Sequence, residues 1–116
     1  MATSELTENY LFIILSRNPA QSEDLQKINL EMSSTPDRDV ILDFSLVQVI
    51  TSAMVSNLLI LRGLLQAANR KLVICNISFL NKCVFTVCGL QEQFYFAANK
   101  EAALEILNHK NNLAAS

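Results

Sequence analysis

Short apolar runs alternate along this chain with stretches in which apolar residues return every three or four positions. Residues 10–15 (YLFIIL) form the first run. A continuous apolar segment of that length between polar flanks reads as a buried strand. The period then changes. Leu25, Ile28 and Met32 fall at i, i+3 and i+7, one face of a helix. Ser22 stands as its N-cap, and Glu23 and Asp24 complement the dipole in its first turn. Asn18-Pro19 marks the turn before it, and residues 33–37, with Pro36, end it. Residues 39–44 (DVILDF) repeat the strand signal. A helix over 52–68 follows, with Met54, Leu58, Leu61, Leu65 and Ala68 on one stripe. Val55, Leu59 and Ile60 lie off that stripe, so a neighbouring element or a partner must cover them. Asn69 suits the left-handed end of this helix. Residues 72–75 (LVIC) give a third strand. A helix over 78–88 follows, facing inward through Leu80, Val84 and Val87 and closed by Gly89. Residues 93–96 form a fourth, edge strand. Asn99 caps a last helix directed inward through Ala103, Ile106 and Leu107.

Strand and helix thus alternate four times. That order predicts an α/β domain with a mostly parallel sheet of about four strands, about four helices and right-handed crossovers. The domain spans residues 10–108, between a loose N-terminal segment (1–9) and a polar tail (109–116). In such sheets ligand sites lie beyond the carboxyl ends of the strands. Thr51 and Ser52 stand there, where the second helix begins. A helix N-terminus presents unpaired N–H groups and the positive end of the dipole, which suits an anion such as phosphate. Serine and threonine are also common N-caps with no further role.

Composition narrows the chemistry. The 116 residues suit one domain, large enough to bury roughly two thirds of its unfolded surface without a metal or disulfide. With a net charge of −2 and its cations scattered, the chain offers no basic patch for nucleic acid. Cys75, Cys83 and Cys88 lie in apolar stretches and form no C-x-x-C pair, so they read as reduced, buried thiols in a cytoplasmic protein. No signal-peptide pattern stands at the N-terminus, and no apolar run reaches the ~18 residues of a membrane span. His109, alone near the C-terminus, is no partner for Ser52, so no catalytic pair is expected. Zinc-type spacing is absent. The only glycines are Gly63 and Gly89, which rules out a glycine-rich phosphate loop, and no metal or cofactor is expected. Asp43 is the carboxylate nearest Ser52, and its expected role is to accept hydrogen bonds from the loop over 45–50.

Three segments, ILDFSLVQVITSAMVS, KLVICNIS and VFTVCGL, together resemble the STAS domain of bacterial anti-sigma factor antagonists. The family pattern is an apolar strand ending in Asp or Asn, about seven loop residues, and Asp-Ser-Ser-Gly opening a helix. A strand of the LVLC type and a helix ending F-x-x-x-G-L follow. The correspondence runs without a gap over about 40–90, with Phe85, Gly89 and Leu90 in step, and extends to about 107. It sets Ser52 at the family's phosphoacceptor position, with Thr51 the neighbouring hydroxyl. Thr51 stands where Asp is usual, Ala53 where the second Ser is usual and Met54 where Gly is usual. In place of the family's Gly-x-Leu-Asp loop stand residues 16–20 (SRNPA). The resemblance implies a non-enzymatic switch. The domain binds an anti-sigma factor or serine kinase through Thr51, Ser52, Ala53, Val55 and Ser56, and phosphorylation weakens that binding. Two other readings stay open: an unphosphorylated STAS scaffold, which includes homo-oligomers, and a small ligand-binding α/β enzyme.

Overall fold

Three crossovers between parallel strands build the molecule. In the computed structural model, which describes residues 3–7, 9–17, 21–34 and 36–115, one sheet carries β1 (Thr3–Leu6), β2 (Tyr10–Ile14), β3 (Asp39–Asp43), β4 (Leu72–Cys75) and β5 (Tyr95–Ala97), side by side in that order. β1 is antiparallel to β2, and the other pairings are parallel. Helices α1 (Gln21–Ser34), α2 (Ser52–Ala67) and α3 (Phe79–Val87) link successive parallel strands, and α4 (Lys100–Ala115) follows β5. The α/β class, the parallel core and the four helices match expectation.

β1 is the fifth strand, in a segment expected to be loose. Its polar sequence carries no apolar run, and local hydrogen bonds set it instead. The Thr7 hydroxyl accepts from the Asn9 and Tyr10 amides and donates to the Tyr10 carbonyl, which turns the chain back so that Leu6 pairs with Leu11. Glu5 also holds Lys100 of α4, tying the edge strand to the far end of the chain. At the other terminus, α4 continues through residues expected to form a tail. His109 falls within it, but its side chain lies outside the described part.

α1 begins at Gln21, one residue before the expected cap Ser22. The turn at 18–20 lies outside the described residues. Asp24 is buried and accepts from the Ser16 amide at 2.9 Å, so it anchors the β2–α1 loop as well as matching the helix dipole. Leu25, Ile28 and Met32 are buried as their spacing predicts.

Strand alternation divides the core in two. Leu11, Ile13, Val40, Leu42, Leu72 and Ile74 face α1, α2 and α3. Phe12, Ile41, Val73 and Cys75 face the other way, where Ala103 and Leu107 of α4 cover them. Asn99 caps α4, accepting from the Ala102 amide at 2.9 Å. On α2 the stripe Met54, Leu58, Leu61 and Leu65 is fully buried. Leu59 packs against the core from the side, while Ile60 stays exposed. Asn69 ends α2 at φ 60°, and Gly89 ends α3 at φ 72°.

α3 departs from expectation. Leu80 and Val87, expected to face inward, are 78% and 86% exposed, and Val84 is half-buried. The residues that turn inward are Asn81 and Phe85. Phe85 meets Phe94 and Phe96 edge-on, each at 5.4 Å between ring centroids. Asn81 donates to the Val47 carbonyl at 3.1 Å. Helical periodicity cannot rank two apolar faces on a nine-residue helix, and a buried polar contact settled the rotation.

Candidate functional site

The carboxyl ends of β3 and β4 meet the start of α2. β3 ends in Asp43, which is buried, and both its oxygens are used. One accepts from the Ser45 amide at 2.7 Å, the other from the Asn76 side chain at 2.9 Å. The first bond is the loop-tethering role expected of Asp43. The second joins the ends of two strands, and nothing in the apolar pattern pointed to it. Asn76 sits at φ 55°, a left-handed conformation that asparagine tolerates better than most residues, and this aims its amide at Asp43. The one available signal was an asparagine directly after a strand.

From Asp43 the loop crosses the end of the sheet. Phe44 and Val47 plug into the core, and Asn81 holds the Val47 carbonyl from the α3 side. Leu46, between these anchors, and Val49, just after them, remain exposed. The loop delivers Thr51 in an extended conformation (φ −99°, ψ 163°), and its hydroxyl accepts from the Met54 amide at 3.2 Å. Thr51 is therefore the cap. Ser52 is the first residue of α2. It is exposed, and its hydroxyl makes no hydrogen bond among the described residues.

The first turn of α2 has two sides. Met54 points into the core and is fully buried, so this methionine sits beneath the surface. Ser52, Ala53 and Ser56 are exposed and Val55 is half-buried, at helical angles within one arc opposite Met54. The five residues singled out from sequence thus share one end of the molecule. The arrangement offers an accessible hydroxyl beside free backbone amides at the positive end of a dipole. Among the described residues no base touches Ser52, and no group of three His, Cys, Asp or Glu side chains could hold a metal ion. Replacing Thr51 by valine is expected to cost about 1–2 kcal/mol through the lost cap, measured by urea unfolding, with the secondary structure kept. An unchanged midpoint would contradict the capping role.

All three cysteines are free thiols, as expected, but only Cys75 is fully buried. Cys83 is half-buried and Cys88 exposed. Burial, and secondarily the Asp43 carboxylate, push the Cys75 thiol from its ordinary 9.0 up to about 12. The folded state therefore keeps a proton that the unfolded chain releases. The stability this contributes is intact below pH 9.0 and is lost as pH rises toward about 12. At pH 8, Cys88 is expected to react first with an aromatic disulfide reagent, and Cys75 only on unfolding. Fast labelling of Cys75 in the native protein, located by peptide mass, would refute this.

No protein-family model and no curated protein matches the chain. Solved structures do. A serine-to-glutamate variant of RsbS from Moorella thermoacetica superimposes with a TM-score of 0.78 at 17% identity, covering 99% of this chain and 98% of that one. An anti-sigma-factor antagonist (STAS) domain protein from Planctomyces limnophilus gives 0.77 at 16%, covering 92% and 97%. The Bacillus cell fate determinant SpoIIAA in its phosphorylated form gives 0.67 at 19%, covering 91% and 99%. The architecture is the STAS fold of anti-sigma factor antagonists. Among the described residues, no helix is long and apolar enough to cross a membrane.

Proposed function

We propose that this chain is an anti-sigma factor antagonist whose binding is switched by phosphorylation of Ser52. Unmodified, it binds an anti-sigma factor or serine kinase in the cytoplasm through the surface of Thr51, Ser52, Ala53, Val55 and Ser56. It regulates transcription by that binding and catalyses no reaction itself. The observation that carries the reading is the division of labour at the start of α2. Thr51 caps the helix, which leaves the Ser52 hydroxyl exposed and uncommitted. The shared fold with a protein solved in a phosphorylated form supports it.

Phosphate would add a charge of about −1.5 to −2. At a helix N-terminus the dipole favours that charge, so the fold tolerates it. In a partner interface the same charge must be desolvated or meets repulsion, and binding weakens. The test incubates the chain with a serine kinase of the anti-sigma factor type and ATP, followed by phosphopeptide mapping. Phosphate is expected on Ser52. Ser52→Ala should block it and keep binding, while Ser52→Asp should weaken binding at least tenfold, about 1.4 kcal/mol, without lowering stability. Thr51→Val should leave the acceptor in place. Phosphate on Thr51 alone would move the acceptor by one residue, and phosphate on neither would favour an unphosphorylated scaffold.

A further inference from the structure

Spread out in sequence, three of the chain's nine cations meet in the fold. Arg62, Arg70 and Lys71 line one cavity of about 320 Å³, and among the described residues Glu92 is the one acid on its wall. The cavity lies where α2 ends and β4 and β5 begin, at the end of the sheet opposite Ser52. α2 spans 16 residues, which sets the two ends about 24 Å apart. The fold places each cation. The Asn69 and Arg70 amides donate to the Gln66 and Leu65 carbonyls at 3.1 and 2.7 Å, and this left-handed turn leads Arg70 and Lys71 from the helix to the start of β4. Arg62 donates from Nε to the Gln93 carbonyl, which leaves the Nη side of its guanidinium uncommitted. The Lys71 amide donates to Asp39 Oδ1 at 2.7 Å, and its ammonium lies 4.6 Å from the Tyr95 ring centroid. Among the described residues none of the three forms an ion pair. The two ion pairs there join Arg38 to Asp37 and Lys100 to Glu5.

We propose that this cavity binds a small phosphate ester as a dianion. Three like charges on one concave wall repel one another, and a bound anion turns that repulsion into attraction. Three cations against one acid leave the wall two positive charges in excess, which a phosphate monoester dianion balances. Guanidinium groups present paired N–H donors that match phosphate oxygens, and lysine adds a point charge. Arg62 and Lys71 are half-buried and already oriented by Gln93 and Tyr95, so little side-chain freedom is lost on binding. The negative end of the α2 dipole opposes an anion here, but it amounts to about half a charge against three cations. Size selects the class. At about 320 Å³ the cavity stands at the small end of ligand sites, with room for one phosphate and the short body that carries it. Tyr95, 48% exposed, supplies apolar wall for that body. The site does not include Ser52, so it stands or falls apart from the phosphorylation reading.

Calorimetric titration of the full chain with inorganic phosphate and with glycerol phosphate tests this, in about 150 mM sodium chloride so that loose surface attraction is screened. One saturable site is expected, with a dissociation constant between about 10 µM and about 1 mM. Glycerol phosphate should bind at least as tightly as inorganic phosphate, since the cavity also holds its body. The double variant Arg70→Gln/Lys71→Gln should weaken binding at least tenfold and leave the melting temperature of the free protein unchanged. Glu92→Gln should tighten binding about threefold or more, because it removes the one opposing charge, an effect that cations with a purely structural role would not produce. Ser52→Ala should bind like the parent chain. Amide NMR shifts on adding glycerol phosphate should centre on residues 69–72 and 92–95. The absence of a saturable site overturns the proposal. So does binding that survives the double variant, shifts centred on the start of α2, or a phosphoserine peptide that binds more tightly than glycerol phosphate.

Discussion

Phe85→Ala is expected to lower the stability by about 3–5 kcal/mol, the cost of emptying a buried aromatic site. Phe85 is 1% exposed and holds α3 to the rest of the molecule. Its ring stands edge-on to both Phe94 and Phe96 at 5.4 Å, so truncation also removes two favourable aromatic contacts. α3 has nine residues, too few to persist without packing. Losing this anchor should free the helix and the stretch that follows it. Leu80→Ala provides the contrast. On the helix face expected from sequence it would cost as much as a core leucine, but on the observed face its cost in the monomer should stay within about 0.5 kcal/mol. Urea unfolding at low protein concentration measures both. Equal losses, or a larger loss for Leu80→Ala, would show that α3 is rotated from the orientation described.

For Asp43→Ala the expected loss is about 3 kcal/mol, arising from groups left without a partner. The Ser45 amide and the Asn76 side chain both donate to this carboxylate. Alanine removes both acceptors; the two donors are only part-buried, so water reaches them in part and each orphaned group costs in the lower half of about 1–3 kcal/mol. The effect should concentrate on the loop over 44–51, where hydrogen exchange should accelerate. Because that loop delivers Thr51 and Ser52, the variant should also impair the phosphorylation proposed for Ser52 more than its stability loss alone explains. Asp43→Asn keeps one oxygen for the Ser45 amide and should cost less. The Cys75 thiol should stay well above its ordinary value in either variant, since burial is the larger cause of its shift. Exchange confined to other segments, or full stability in Asp43→Ala, would contradict the tethering role.

Most of the fold was legible because its causes are local. Strands β2, β3 and β4 are continuous apolar runs buried on both faces, the pattern that parallel sheets impose. α2 announced itself by a stripe at helical period, and Thr51 by the chemistry of capping. The left-handed ends at Asn69 and Gly89 follow from residues that accept positive φ. The position of Ser52, one loop beyond a strand and at the start of a helix, is likewise a consequence of sequence order.

Tertiary structure decided what depended on distant partners. β1 exists because Thr7 turns the chain and β2 offers an open edge, neither of which shows in an apolar pattern. The rotation of α3 could not be read from its own sequence. Both of its faces are apolar, and Asn81 chose between them by satisfying the Val47 carbonyl, 34 residues away. Asn76 reaches Asp43 across 33 residues in the same way. Sequence determined where the helices and strands form and which residue begins α2, because backbone preference and apolar period act over a few positions. Which apolar surface stayed in water was decided only when polar groups far apart in the chain found one another, because a buried carbonyl or carboxylate must be paired wherever its partner lies.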